Sequence, residues 1–419
     1  MESGVKSYCR TFPIVFKKSN GSILSDEYGV EYLDFLSGCG SLNYGHNHPH
    51  LKAKLIEYIN SDGVTLSMDL FSIAKENFLK KFSEIILQPR NLKYCIQFPG
   101  PTGSNAVEAA IKLARKVTNR SNVIAFTNGF HGCSLGSLAL TGSSHHRGHS
   151  SSLLTNVNRI PYDGYLGEKI DTADMLDKVL SDPSSGFDMP AAIIFETIQG
   201  EGGLSIASPI WAQKLQRIAK KFGILIIVDD IQAGCGRSGD FFSFEALNIV
   251  PDIVCLAKSI SGFGLPMSLV LIKPEYDLWL PGEHNGTFRG NNHAFITAAA
   301  ALELFWEESS FEIEVRRKAS LLKNILQKLA EQYGLSVKGR GLMLGLEFNN
   351  PETAALVQKE CFSRKLIVEL CGPRSEVLKL LPPLNVSDQE LKMATSIIEN
   401  SLSICMTQYQ KNISCVEAM

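Results

Sequence analysis

Through the middle of the chain, short and uniformly apolar runs alternate with helix-patterned segments. The runs are Val123–Phe126, Ala191–Phe195, Ile224–Val228, Ile253–Ala257 and Leu269–Ile272. They are rich in β-branched residues and show no polar alternation, so both faces of each strand are buried. That predicts a mostly parallel sheet between two layers of helix. Residues 211–221, WAQKLQRIAKK, are one of the intervening amphipathic helices. The chain ends read differently. The first 60 residues hold a hairpin-like stretch and an amphipathic helix over Leu51–Ile59. From about residue 310 come helices, a strand pair around Gly345–Phe348 and a closing helix near Asp388–Ser403. The pattern predicts an α/β fold, with a large domain over 61–309 and a smaller α+β domain formed where 1–60 meets 310–419.

Composition narrows the class. Of 419 residues 44% are apolar, and 41 basic against 43 acidic side chains leave a formal charge of −2. A disordered chain would be poorer in apolar groups, and a binder of nucleic-acid phosphates would carry a basic excess. The ten cysteines are scattered with no CxxC pair, which removes a zinc or thioredoxin-type motif. The apolar run Ile14–Phe16 is too short for a signal-peptide core, and the longest apolar stretch, Ala294–Leu302, falls short of the roughly 18 residues of a membrane span. The expectation is a soluble cytoplasmic protein with free thiols. Histidines cluster in SSHHRGHSSS, residues 143–152, but no carboxylate or thiolate completes a metal set there, so the segment reads as an exposed loop and no metal is expected.

Candidate chemistry sits where the apolar runs end. In an open parallel sheet, ligands bind at the carboxyl ends of the strands. Glu196, Asp229 and Lys258 each terminate a run, 33 and 29 residues apart, close to the repeat of one strand–helix–strand unit. Each alone reads as the first polar residue after a buried strand. Together they place two carboxylates and an amine on one sheet edge. A lysine desolvated in such a cleft is a nucleophile toward carbonyls, and an aspartate opposite it suits a pyridinium nitrogen. The pair points to pyridoxal 5′-phosphate, bonded by Lys258 and with its ring nitrogen kept protonated by Asp229.

A phosphate needs a cradle. PGPTGSNAVEAAIKLARKV, residues 99–117, is a Gly/Pro turn entering a helix whose apolar positions are 107, 110, 111, 114 and 117. Backbone N–H groups of Gly103, Ser104 and Asn105 would face an anion at that helix start. The same residues also read as an ordinary helix cap. Phe130 follows the run Val123–Phe126, where an aromatic either stacks on a flat heterocycle or plugs the core.

In this order, GPTGSNAVEAA (100–110), NGFHG (128–132), ETIQGEGG (196–203), VDDIQAGCGRSG (228–239), KSISGFGLP (258–266) and NGTFRGNN (285–292) resemble the class III, or ω-, aminotransferases of pyridoxal-phosphate fold type I. The resemblance covers nearly the whole chain. LNYGHNHP (42–49), PYDGY (161–165), PGEHNGTFRGNN (281–292) and KLLPPL (379–384) are similar to the diaminobutyrate–2-oxoglutarate group, including its ectoine-biosynthesis members. The resemblance implies transamination between L-2,4-diaminobutyrate and 2-oxoglutarate. Other ω-aminotransferases (ornithine, 4-aminobutyrate or β-amino acid type) and a cofactor-sharing aminomutase are the alternatives.

Site roles come from the same resemblance. Lys258 is the covalent anchor and proton carrier, Asp229 the partner of the ring nitrogen, and Glu196 lies near the reacting amine. Gln232 lies beside the ring's phenolic oxygen, Phe130 stacks on the ring, and Gly103 and Ser104 form the phosphate cup. Thr287 is a phosphate ligand donated by a neighbouring subunit, which implies a homodimer or a higher homo-oligomer. Glu201 matches the acidic residue that neutralises a substrate-binding arginine in many members.

Three departures stand out. Cys133 follows FHG where arginine is common, Lys379 stands for arginine before LLPPL, and Arg289-Gly290 replaces a glycine pair. Two carboxylate-binding arginines are thus absent and one is new. Arg289 is expected to grip the substrate α-carboxylate, against an interface salt bridge as the plainer role, and Lys379 to pair with Glu201.

Overall fold

A computed structural model describes residues 2–148 and 150–417. Seven strands form the central sheet, in the spatial order 95–97, 269–272, 253–256, 225–229, 192–195, 123–126 and 157–160. The five from 253–256 to 157–160 are parallel. Leu269–Ile272 is antiparallel to both of its neighbours. Its connector, 257–268, holds a 3-10 turn over Lys258–Ser261 and no crossover helix, so the chain doubles back there.

The alternation of side chains across the sheet builds two apolar layers. Ile124, Ile193, Ile226 and Val254 face one layer, where Trp211, Leu215 and Ile218 of helix Pro209–Phe222 cover them. Val123, Ile194, Ile227 and Ile253 face the other, covered by Val107, Ala110, Ile111 and Ala114 of helix Gly103–Thr118. Local signals set the helix ends. Ser208 accepts a hydrogen bond from Trp211 N, Pro209 opens the first turn, and Gly223 closes the helix in the left-handed region at φ +61°.

Segments from the two ends of the chain pair and pack together. Strand Glu31–Asp34 takes Leu366–Ile367 as a parallel partner. Leu33 and Phe35 share a core with Leu344, Leu378, Leu391 and Ile398. Helix Pro49–Asn60 buries Leu51, which joins Tyr44 in the apolar core that also holds Ile124 and Trp211. Tyr44 stacks on Phe305 at 4.4 Å, which anchors this stretch to that core. The expected loop over 143–152 contains a short helix, Ser144–Arg147, and a 3-10 turn, Ser150–Leu153, while His149 lies outside the described residues. No helix among the described residues is long and apolar enough to cross a membrane. The nine cysteines whose side chains are described are free thiols, and Cys415 lies outside that set.

Candidate active site

Because the parallel strands share one direction, the residues just beyond their carboxyl ends collect on one edge. Phe130 and His131 come after Val123–Phe126, Glu196 after Ala192–Phe195 and Lys258 after Ile253–Leu256, while Asp229 ends Leu225–Asp229. All five line one cavity of about 210 Å³, together with Gly103, Ser104, Glu201 and Gln232. The sheet edge thus unites the three ionisable groups picked out by spacing.

Lys258 sits at φ +53°, a left-handed backbone that a non-glycine residue holds only when its surroundings impose it, at a cost of about 1–3 kcal/mol. Burial pushes its ammonium pKa below the ordinary lysine value of 10.5, which favours the free amine. Asp229 is buried, and its Oδ2 accepts a hydrogen bond from His131 Nδ1 at 2.8 Å. Its Oδ1 accepts from Ile231 N at 3.3 Å. Donor atoms of His131, Glu196 and Asp229 fall within 4.8 Å of one another. Burial, then the nearby charges of Asp229 and Glu201, push the Glu196 carboxyl well above its usual range. Glu196 Oε2 is buried without a hydrogen-bond partner, and so is Gln232 Oε1. Gln232 Nε2 is engaged, donating to Cys39 O at 3.1 Å and Glu201 Oε1 at 3.4 Å.

The helix start at 103 is capped by Thr102, not by Ser104 or Asn105. Thr102 Oγ1 accepts from Asn105 N, and Asn105 Oδ1 accepts from Thr102 N at 3.1 Å. Asn105 therefore spends its amide on the cap. The first-turn amides of Gly103 and Ser104 have no helical acceptor by position, and both residues line the cavity at the positive end of the helix. Gly132, at φ +127°, lies so close that a Cβ there would meet Ser104 Oγ at 2.2 Å. Glycine at 132 keeps this corner open.

Lys379, wholly buried, places Nζ 3.0 Å from Glu201 Oε1 and 3.0 Å from Glu369 Oε2. The expected pairing with Glu201 is therefore present. Burial opposes ionisation of Glu201, but Lys379 and then Lys258 outweigh it and hold its carboxyl at about 2. Lys379 itself is held well above 10.5 by the two carboxylates, against its own desolvation.

Three expected residues do not line this cavity within one chain: Lys379, buried behind Glu201, and Thr287 and Arg289. Thr287 is exposed on the turn Thr287–Arg289. Arg289 lines a different cavity, with Trp279 and His284, and donates from Nη1 to Asn285 Oδ1 at 3.0 Å. Its Nε is buried without a partner.

Class-III aminotransferase is the family model that matches residues 5–402. The chain belongs to that family. It is 52% identical to a diaminobutyrate–2-oxoglutarate transaminase of Halalkalibacterium halodurans, over 96% of this chain and 95% of the relative. It is also 52% identical to one of Vibrio parahaemolyticus, over 99% and 98%. Among solved structures it is similar to the ornithine aminotransferase of Toxoplasma gondii, at a TM-score of 0.82 and 25% identity, over 94% of this chain and 92% of that one.

This aminotransferase therefore uses pyridoxal 5′-phosphate, and the cavity fits it. Anion-facing amides lie at one corner, a braced carboxylate at another, an aromatic ring and a free amine line the walls, and two buried oxygens lack partners. Sequence reasoning passed over His131, although it adjoins Phe130 in NGFHG; its value lies in a contact 98 residues away. Glu369 was missed as well, since a lone glutamate in a short strand carries no local signal.

Proposed function

We propose that this aminotransferase moves the 4-amino group of L-2,4-diaminobutyrate to 2-oxoglutarate, giving L-aspartate 4-semialdehyde and L-glutamate. The observation that carries this reading is the 52% identity, over 96–99% of the chain, to relatives named for that pair. One methylene is worth only about 1–3 kcal/mol in a pocket, so the cavity walls alone would not separate four- from five-carbon donors.

When bound, pyridoxal 5′-phosphate supplies an electron-accepting ring for the electron pair left by proton removal. Gly103 and Ser104 would hold its phosphate, Phe130 would pack on the ring, and Gln232 would meet its phenolic oxygen. Asp229, oriented by His131, would hold a proton on the ring nitrogen. Lys258 Nζ anchors the cofactor, takes the proton from the carbon bearing the transferred nitrogen, and later gives it back. Glu196 lies beside the reacting amine. Glu201, with Lys379 behind it, bounds the substrate end.

Thr287 reaches the phosphate from a second copy of the chain, and Arg289 on the same turn brings a guanidinium to the substrate α-carboxylate. Support comes from the surface around that turn. Phe288, Met68, Leu70, Phe71 and Ile73 are exposed, and the two segments are joined by Ser67 N donating to Gly290 O at 2.9 Å. An apolar patch of this kind fits burial against an identical subunit. A reducing cytoplasmic setting is supported by the free thiols.

The test is product analysis with donor labelled with 15N at the 4-amino group. Labelled glutamate and aspartate semialdehyde in equal amounts, with no turnover unless 2-oxoglutarate is present, are expected. Turnover without any oxo acid would identify an aminomutase instead.

A further inference from the structure

Lys379 and Glu369 face each other across adjacent antiparallel strands, Val377–Leu380 and Glu369–Cys371. Cross-strand charge pairs are common, but this one has a third member. Lys379 Nζ also meets Glu201 Oε1 at 3.0 Å and donates to Gly200 O at 3.0 Å. A lysine ammonium has three N–H donors. The Gly200 carbonyl and Glu201 accept two of them, Glu369 Oε2 stands at ion-pair distance without accepting one, and Lys379 is wholly buried and so closed to a substrate carboxylate. Glu369 is fixed from its other side by Tyr8, whose hydroxyl donates to Oε1 at 2.5 Å.

The charges in this cluster do not cancel. Within these three side chains one ammonium stands against two carboxylates, and with Lys258, the other cation acting on Glu201, engaged by the cofactor, one negative charge is left in a wall where an uncompensated charge is costly. Of the three side chains only Glu201 opens onto the Lys258 cavity; Lys379 is wholly buried and Glu369 nearly so. The surplus is therefore presented to the cavity through Glu201. A donor with a second ammonium group compensates it, and a donor with a single amine does not.

We infer that Glu369 is a specificity-determining residue: by keeping Lys379 neutralised it leaves the Glu201 carboxylate free to receive the second ammonium of a diamino acid. Glu369 acts through Lys379 and Glu201 and does not touch the substrate itself. The inference rests on the proposed transamination and names what sets its choice of donor.

The experiment compares kcat/KM for 2,4-diaminobutyrate with kcat/KM for 4-aminobutyrate, at saturating 2-oxoglutarate, in holoenzyme. Both donors offer the same ω-amine and differ in the second ammonium. In Glu369→Gln, which keeps the shape and removes the charge, the ratio is expected to fall about tenfold or more, chiefly through KM for the diamine. Glu369→Asp, which keeps the charge, is expected to restore most of it. Should Glu369→Gln fail to fold, Glu201→Gln reads the same ratio and is expected to lose the same preference.

A ratio within about twofold of wild type in either glutamine variant would overturn the inference. An equal fall in Glu369→Asp would do so too, because geometry and not charge would then be at work. Wild-type enzyme that is active on both donors but indifferent between them defeats this inference alone. Wild-type enzyme inert with both defeats the proposed function as well.

Discussion

His131 Nδ1 donates to Asp229 Oδ2 across 2.8 Å, and both side chains are almost wholly buried. The contact fixes the histidine tautomer and aims the other carboxylate oxygen. Replacing His131 by Phe leaves Asp229 short of a charge-assisted hydrogen bond worth about 1.5–3 kcal/mol. Cofactor affinity is expected to fall roughly 10–100-fold. Titration of apoenzyme with pyridoxal phosphate measures it, and an unchanged dissociation constant would show that Asp229 needs no such brace.

Lys258→Ala is expected to lose the visible absorption of covalently held cofactor and at least about a thousandfold in turnover. An active variant with wild-type colour would contradict the central assignment.

The pKa of Lys258 lies below 10.5 because burial disfavours its charge. The amine is free only once substrate has displaced it from the cofactor, so it is kcat that should rise with pH and level off below the ordinary lysine range. A rising limb centred at or above 10.5 would show that burial does not tune this group.

Glu201 titrates at about 2 in the fold against 4.5 when unperturbed. Folding thus favours its ionised form, and that contribution to stability is whole above about pH 4.5 and disappears as pH falls toward about 2. Thermal unfolding of Glu201→Gln should show a flatter dependence over that window than wild type. Lys379→Met, which strips the ion-pair partner from Glu201 and from the nearly buried Glu369, is expected to cost about 3–5 kcal/mol at neutral pH. Denaturant midpoints at pH 7 check this, and a cost under about 1 kcal/mol would mean that the wall takes up water.

Arg289→Ala is expected to raise KM for both diaminobutyrate and 2-oxoglutarate by roughly tenfold or more, since a bidentate guanidinium–carboxylate contact is among the stronger hydrogen-bonded pairs. Steady-state kinetics with each substrate varied in turn test it. Unchanged constants would leave Arg289 a surface role.

Much of this was legible along the chain because it is local. A strand buried on both faces must be apolar throughout, and the first polar residue beyond it falls at the sheet edge, so Glu196, Asp229 and Lys258 announce themselves. The helix start at 103 is equally local, although its cap is Thr102, two residues before Ser104 and three before Asn105. The helix over 49–60 was harder to place: its amphipathic pattern states that one face is buried, not which core buries it.

Sequence by itself determined the layered α/β order, the collection of ionisable groups at one sheet edge and the family, since these depend on periodicity and on residues close together in the chain. Tertiary structure alone decided the partners. His131 braces Asp229 from 98 positions away, and Glu369 meets Tyr8 across 361. Such contacts depend on which side chains the folded sheet brings within 3 Å, and no spacing rule along a chain encodes that distance.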